Sequence, residues 1–448
     1  MATVLGLDIG TTKLCALALS VETGEALAVR SAPNDADISP LPHDRHEQDP
    51  VRIRDRCFEL VRAVAADGAV VEGDVGGIGL SGQMHGVLLV GGERPAPCTD
   101  FITWRDQRGH GDGDEAVERC GCRLHPGYGG ATLGWMVENG CLPAGARALS
   151  AADYVAGCLS GCYSSEPTHG ASWGLLDVRA GQWDRERVEA LGIPEEALPE
   201  LRPSCRPLGA LLPDMAKALG LPGEVQVCAP VGDNQASVIG AAGFADDTAV
   251  LNLGTGGQIS VFKGAYAFRE GLETRPMPLG GYLLVGASLC GGWAYAYLRR
   301  FIQDTVRAFG GAAPGDEAVY ARMNELALET APGAAGLMAD TRFSGQRGRP
   351  EIRGALEGID RENLTPGNLV RAFAEGMVRE LRDMASAAGL DGVGRILATG
   401  NAVRKNPAVP GIVEQLFGVP CEVGHAEEEA ALGAARAAAA GLGLSATA

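Results

Sequence analysis

Two short stretches far apart in the chain limit what it can fold into. "VLGLDIGTTKL" at 4–14 and "AVLNLGTGGQISVF" at 249–262 both read as an apolar strand, a Gly/Thr turn and a second strand. Superposed, they place Asp8 on Asn252 and Thr11 on Thr255, an offset of 244 residues. A supersecondary unit repeated at that distance predicts two domains on one plan, 1–243 and 244–448, with a boundary near 240–248. The length agrees, because 448 residues exceed the size at which one core stops growing. Chance likeness of two glycine-turn hairpins is the competing reading.

Residues 3–31 alternate apolar runs with turn signals and predict three antiparallel strands in a meander. Residues 51–66 carry apolar side chains at helical spacing. "EEEAALGAARAAAAG" at 427–441 opens on acids and continues in alanine, a strong helix signal. Strands interleaved with helices predict an α/β class with mixed sheets. With 46% hydrophobic and 21% charged residues the chain is expected to fold throughout. Its formal charge of -18 argues against nucleic acid or an anionic membrane as partner, so an anionic ligand must be met locally. The N-terminus has no basic stretch and its apolar run is broken by Asp8, so neither a signal peptide nor a membrane anchor is expected. Twelve cysteines, the nearest groupings being Cys120/Cys122 and Cys158/Cys162, lack histidines spaced for zinc and predict free thiols in a reducing cytoplasm.

A strand ending in a Gly/Thr turn presents backbone amides and hydroxyls that can hold phosphate oxygens without net positive charge. Two such turns suit one polyphosphate, and Asp8 before the first would suit Mg²⁺, which prefers oxygen ligands; a plain hairpin turn is the alternative. "VGDNQAS" at 231–237 puts Asp233 at a strand-to-helix junction, either as helix cap or as a base taking a proton from an attacking hydroxyl. In "GLSGQMHGV" at 79–87, Gln83 and His85 offer donors and acceptors to a polyhydroxylated ligand, and Met84 an apolar contact. "TWRDQR" at 103–108 adds Trp104, Arg105 and Asp106, where a buried tryptophan beside a surface ion pair is the plain alternative. Thr399-Gly400-Asn401 is a second small-residue turn, close enough in character to nucleotide-binding turns to admit a planar base. The loop at 341–354 carries Arg342, Arg347, Arg349 and Arg353 and reads as solvated, with a cover over a cleft as the lesser reading.

Taken in order, Asp8-Ile9-Gly10-Thr11-Thr12, Glu47-Gln48-Asp49-Pro50, Ser81-Gly82-Gln83-Met84-His85-Gly86, Gly232-Asp233-Asn234, Asn252-Leu253-Gly254-Thr255-Gly256 and Thr399-Gly400-Asn401-Ala402 resemble the motif series of the FGGY carbohydrate kinases. The resemblance implies two ribonuclease-H-like domains of the actin/hexokinase type around a central cleft, with ATP in the cleft and the sugar mainly on the first domain. It implies Asp233 as base, Asp8 at Mg²⁺, and Thr11, Thr12, Gly254, Thr255 and Gly256 at the phosphates. Gly400, Asn401 and Lys405 fall at the adenosine motif. Gln83, Met84, His85, Trp104, Asp106 and Asn234 fall on the sugar side.

Within the family, "SGQMHG" is similar to the xylulokinase-like branch, whereas "GYGGATLGW" (127–135), "HGASWG" (169–174) and "GASLCGG" (286–292) are similar to sedoheptulokinases. Thr132 stands where xylulokinases usually carry a lysine, which favours a seven-carbon ketose over a five-carbon one. The expected activity is ATP- and Mg²⁺-dependent phosphorylation of a ketose at a primary hydroxyl, sedoheptulose giving sedoheptulose 7-phosphate, with xylulokinase or another pentulose or polyol kinase as the alternative. An actin-like ATPase acting on a protein and a silent sugar sensor are the readings from other classes. Homodimers are frequent in the family. One departure touches the first turn: a lysine or arginine is usual where this chain has Cys15, and Lys13, two residues earlier on the same strand face, is the candidate to supply that charge.

Overall fold

The computed structural model describes residues 2–93, 95–109, 124–245, 247–346, 349, 351–424 and 428–444; Cys120, Cys122 and Arg347 lie outside them. The chain divides into two compact units. Unit 1 comprises Met1–Phe244, Arg275–Gly281 and Ala426–Ala448, and unit 2 comprises Ala245–Thr274 and Tyr282–His425. This differs from a single break after residue 243, since two later segments, one of them the last helix, return to unit 1.

Unit 1 begins with the expected antiparallel meander, β1 (Thr3–Ile9), β2 (Lys13–Ser20) and β3 (Ala26–Pro33). Helix α1 (Pro50–Ala65) is started by Pro50 and by Asp49, whose carboxylate accepts the N–H groups of Val51 and Arg52. There follow β4 (Val75–Gly82), α2 (Pro167–Ser172), β5 (Pro207–Ala210), β6 (Gln226–Cys228), β7 (Val231–Gly232) and α3 (Asp233–Ala242). The sheet runs β5-β6-β4-β1-β2-β3, with β7 continuing beside the end of β4. Leu5, Leu7 and Ile9 of β1 point to one face and share a core with Ile53, Cys57, Val61 and Val64 of α1. Each such side chain stabilises the unit by about 1.5–3 kcal/mol on burial.

Unit 2 repeats the opening arrangement. Strand β8 (Thr248–Leu253) is antiparallel to β9 (Gly257–Lys263), which is antiparallel to β10 (Tyr282–Ser288). Helices α4 (Gly292–Ala308) and α5 (Pro366–Ala388) precede β11 (Arg395–Thr399), which lies parallel to β8, and after α6 (Asn401–Lys405) comes β12 (Cys421–Val423), parallel to β11. Thus β1 has an antiparallel neighbour and the parallel strand β4, and β8 has an antiparallel neighbour and the parallel strand β11. In register, Asp8 lies opposite Ser81 and Asn252 opposite Thr399. The duplication therefore reaches strands whose sequences show no likeness.

Helix α7 (Glu429–Gly441) returns to unit 1 and covers the second face of β1, where Val4 joins Ala431, Ala435 and Ala438. The approach is backbone to backbone: a Cβ on Gly6 would stand 2.0 Å from the Ala431 carbonyl oxygen, and one on Gly433 only 1.7 Å from that of Ala236 in α3. The alanines that signal a helix are thus also what lets the helix come close. Among the described residues no helix is long and apolar enough to cross a membrane, and the described cysteines are all free.

Replacing Gly433 by alanine is expected to lower the unfolding midpoint, at a cost of about 1–3 kcal/mol or more from overpacking. Gly411→Ala, in a unit 2 helix where a Cβ meets nothing within 4 Å, should leave the midpoint unchanged or raise it. Denaturant titration of both variants checks this, and equal midpoints would contradict the packing account.

Candidate functional site

Alternation along β1 sends Leu7 and Ile9 to the α1 side and Asp8 to the α7 side. Ser81, its register partner on β4, donates its hydroxyl to Asp8 Oδ1 at 2.7 Å. Burial pushes the Asp8 carboxyl up to about 6, against the Ser81 hydrogen bond, with Glu428 adding to the rise and Lys13 opposing it. Lys13 Nζ lies 2.7 Å from Glu428 Oε2, just before α7. Cys15 faces Asp8 across the β1/β2 ladder, and burial pushes its thiol up to about 12. A neutral thiol thus stands in the usual basic position, and the nearby cation is Lys13, already paired with Glu428.

Asp233 is the first residue of α3. Gly232 takes the cap position and no side chain caps the helix, so the carboxylate of Asp233 is not spent as a cap. Its carboxyl is pushed up to about 7, chiefly by burial and then by the negative charge of Asp8, while Arg275 opposes the rise. Arg275 is itself buried and places Nη1 3.7 Å from Met84 Sδ. The adjoining Pro276 carbonyl accepts from Gln235 Nε2 at 3.1 Å.

From the end of β4 the chain runs into Gln83, Met84 and His85, and a polar network ties this loop to the first turn. Thr11 Oγ1 donates to Gln83 Oε1 at 3.0 Å and accepts from Trp104 Nε1 at 2.9 Å. Gln83 Nε2 donates to Gln48 Oε1 at 2.9 Å, and Gln48 Nε2 donates to the Thr11 carbonyl at 2.9 Å and to Asp37 at 2.8 Å. Thr11, expected at phosphates, is therefore also linked to Gln83 and Trp104, expected at the sugar, while Thr12 is exposed beside it. Trp104 is 43% exposed, with the Arg105 guanidinium 5.3 Å above its ring. His85 has a left-handed backbone, φ 73°, and its ring stacks on Tyr128 at 4.4 Å. Asn234 is buried next to Asp233.

Asp106 departs from expectation. It is fully buried, Oδ1 accepting from Arg108 N and Nε and Oδ2 from His46 N and Arg108 Nη2. Those bonds hold its carboxyl below the usual range in spite of burial. Asp106 shapes the loop after Trp104 rather than facing a ligand. In the loop at 341–354, Arg342 pairs with Asp340 and Arg349 with Glu351, so these two charges are used locally.

In unit 2 the Gly254-Thr255-Gly256 turn is closed by a bond from Gly254 N–H to the Gly256 carbonyl. The first amides of α4, on Gly292 and Trp293, donate to the carbonyls of Gly254 and Thr255 at 2.8 and 3.0 Å. Gly400, with φ 94°, approaches the same turn so closely that a Cβ would stand 2.6 Å from the Leu253 carbonyl oxygen. Thr399-Gly400-Asn401 and the Gly/Thr turn thus end adjacent parallel strands, with Asn401 and Lys405 exposed. Sequence reasoning overlooked Ser81, Gln48 and Arg275. Ser81 and Gln48 sit inside motifs whose other members draw attention, and Arg275 carries no local signal at all.

Among the described residues no three His, Cys, Asp or Glu are arranged to hold a metal. Asp8 and Asp233 are oxygen donors close enough for one charge to raise the other's pKa, which fits a hard divalent cation that keeps most of its water and not a closed thiolate or imidazole site.

Residues 3–240 match the FGGY family of carbohydrate kinases, N-terminal domain, and residues 249–442 its C-terminal domain. The sedoheptulokinase of Mus musculus is 28% identical, over 96% of this chain and 96% of that protein. The xylulose kinase of Lactococcus lactis is 26% identical over 86% of this chain and 76% of its own length. The crystal structure of xylulose kinase from Rhodospirillum rubrum superposes with a TM-score of 0.84 at 25% identity, covering 98% of this chain and 90% of that one.

In protein freed of divalent cations, Asp233 is expected to titrate near 7, at lower pH in Asp8→Asn, which removes a negative neighbour, and at higher pH in Arg275→Met, which removes a positive one. Carboxyl ¹³C shifts followed against pH check both directions. Because the folded values of about 6 and about 7 lie above the unfolded ones, the folded state holds these protons more tightly, so the two groups make stability fall as pH rises from about 4 to about 7. Opposite shifts would contradict the pairing.

Proposed function

This chain belongs to the FGGY family of carbohydrate kinases and is itself a carbohydrate kinase; from that premise we propose that it transfers the γ-phosphoryl group of ATP, with Mg²⁺, to a primary hydroxyl of sedoheptulose. The observation that carries the reading is Asp233: uncapped, at the head of α3, with a carboxyl raised to about 7. A base of that strength suits proton abstraction at neutral pH, and an aspartate in that role accepts the hydroxyl proton as oxygen attacks phosphorus.

Gln83, Met84, His85, Trp104 and Asn234 are assigned to the sugar, with Asp106 positioning the loop that carries Trp104. Thr11 and Thr12, and on the other turn Gly254, Thr255 and Gly256, are assigned to the phosphates. Gly400, Asn401 and Lys405 are assigned to the nucleoside. Lys13 stays near the phosphates while paired to Glu428, so its charge is partly cancelled. Asp8, backed by Ser81, would hold Mg²⁺ with Asp233 near, and the bound ion would supply charge neutralisation on the phosphate oxygens. Free thiols support a reducing compartment, the cytoplasm.

Sedoheptulose is placed first because two sedoheptulokinases, of Mus musculus and Homo sapiens, align over 96% of this chain, in line with the stretches at 127–135, 169–174 and 286–292. Xylulose is the second reading, supported by the xylulose kinase likenesses in sequence and fold. Initial rates over a ketose and polyol panel decide between them: preference for sedoheptulose is expected, and a clear preference for xylulose overturns the first choice. Asp233→Ala should lower sugar-dependent ATP turnover by about 10²–10⁴-fold while calorimetry shows ATP still bound. Near-normal turnover would remove Asp233 as the base.

A further inference from the structure

No residue of "EPTHGASW" at 166–173 is assigned to sugar, phosphate or metal above, yet the stretch bonds both the Asp233 turn and the His85 loop. Glu166 is fully buried, and its Oε1 accepts the His169 N–H at 2.8 Å and the Thr168 hydroxyl, while Oε2 accepts the Ser204 hydroxyl. Thr168 Oγ1 in turn accepts the N–H of Gly232 at 2.7 Å, the residue directly before Asp233. At the other end of α2, Ser172 Oγ accepts the His85 N–H at 3.0 Å, and the Ser172 carbonyl lies 2.7 Å from His85 Nδ1. Trp173 Nε1 donates to the Gly86 carbonyl at 3.1 Å. Ser172 Oγ also donates to the His169 carbonyl, closing α2 on itself.

We propose that Glu166, Thr168 and Ser172 are positioning residues, a bracket through which α2 fixes the spacing between the Asp233 turn and the His85 loop. A hydroxyl has one proton to give. With three donors directed at it Glu166 acts as acceptor, so the Thr168 proton is committed to it and a lone pair of Thr168 is left for Gly232. Glu166 thereby orients the Thr168 hydroxyl so that a lone pair faces the Gly232 N–H, one residue before Asp233. The inference rests on the reading of Asp233 as base, since only then does this spacing govern the distance from proton acceptor to bound sugar.

Thr168→Val keeps the side-chain shape and removes the hydroxyl. It is expected to lower kcat by about 10²-fold, as for a displaced reacting group, leave KM for ATP little changed, and be rescued by Thr168→Ser. Sedoheptulose is the probe, or xylulose where that is the ketose the wild type accepts. The Gly232 amide should exchange slowly with solvent in the wild type and faster in Thr168→Val. Wild-type kcat in Thr168→Val overturns the proposal. Should that variant not fold, exchange of the wild-type Gly232 amide at the rate of an open turn overturns it instead. Full turnover in Asp233→Ala with slow Gly232 exchange would sink the base assignment by itself, leaving the hydrogen-bonded bracket intact but without its catalytic purpose.

Discussion

The backbone contact of α7 with β1 and α3 is the constraint on which unit 1 depends. Gly6 and Gly433 leave no room for a Cβ, so the helix seats directly on the sheet. That seating covers the face of β1 on which Asp8 lies and brings Glu428 to Lys13. With α1 on the opposite face, β1 is buried on both sides, which is why it reads as a nearly continuous apolar run. A carboxylate in such a strand is tolerated near the end, where Ser81 gives it a hydrogen bond.

The electrostatics follow from the same burial. Burial raises both Asp8 and Asp233 above the ordinary aspartate range, and the negative charge of Asp8 adds to the rise at Asp233; on the proposed reading, that cost leaves a proton acceptor that works near neutrality. An acidic chain of net charge -18 does not draw a polyphosphate by its overall field. The two turns assigned to phosphate in the proposed function are each fixed by local hydrogen bonds: in unit 2 the first amides of α4 donate to the turn's carbonyls, and in unit 1 the Thr11 hydroxyl donates to Gln83.

Much of this was legible in the chain because the informative signals are local. The two glycine-turn hairpins, the meander at 3–31, the helix after Asp49 and the head of α3 follow from short patterns of alternation, turn chemistry and capping. What stayed hidden depends on distance along the chain. Nothing near Arg275 indicates that it faces Met84 and Asp233, because that meeting is made by the return of a short segment to unit 1. Asp106 misleads for the same reason: next to an exposed tryptophan it resembles a ligand-facing acid, and only the fold shows its oxygens consumed by Arg108 and His46. Thr11 lies between these cases: its turn is legible, but its ties to Gln83 and Trp104 are not disclosed by sequence alone.

The discontinuity of unit 1 bears on how the protein comes into being. A ribosome releases the sequence from its beginning, so β1, β4 and α3 emerge long before α7, with the whole of unit 2 made in between. Until the final helix docks, the small-residue face of β1 and the carboxylate of Asp8 lie open to water, and Lys13 lacks its counter-ion. The nascent chain must hold an unfinished sheet while an inserted unit is synthesised. The surroundings of Asp8 are therefore completed last, by the closing of a long-range contact and not by the early hairpin that first reveals them.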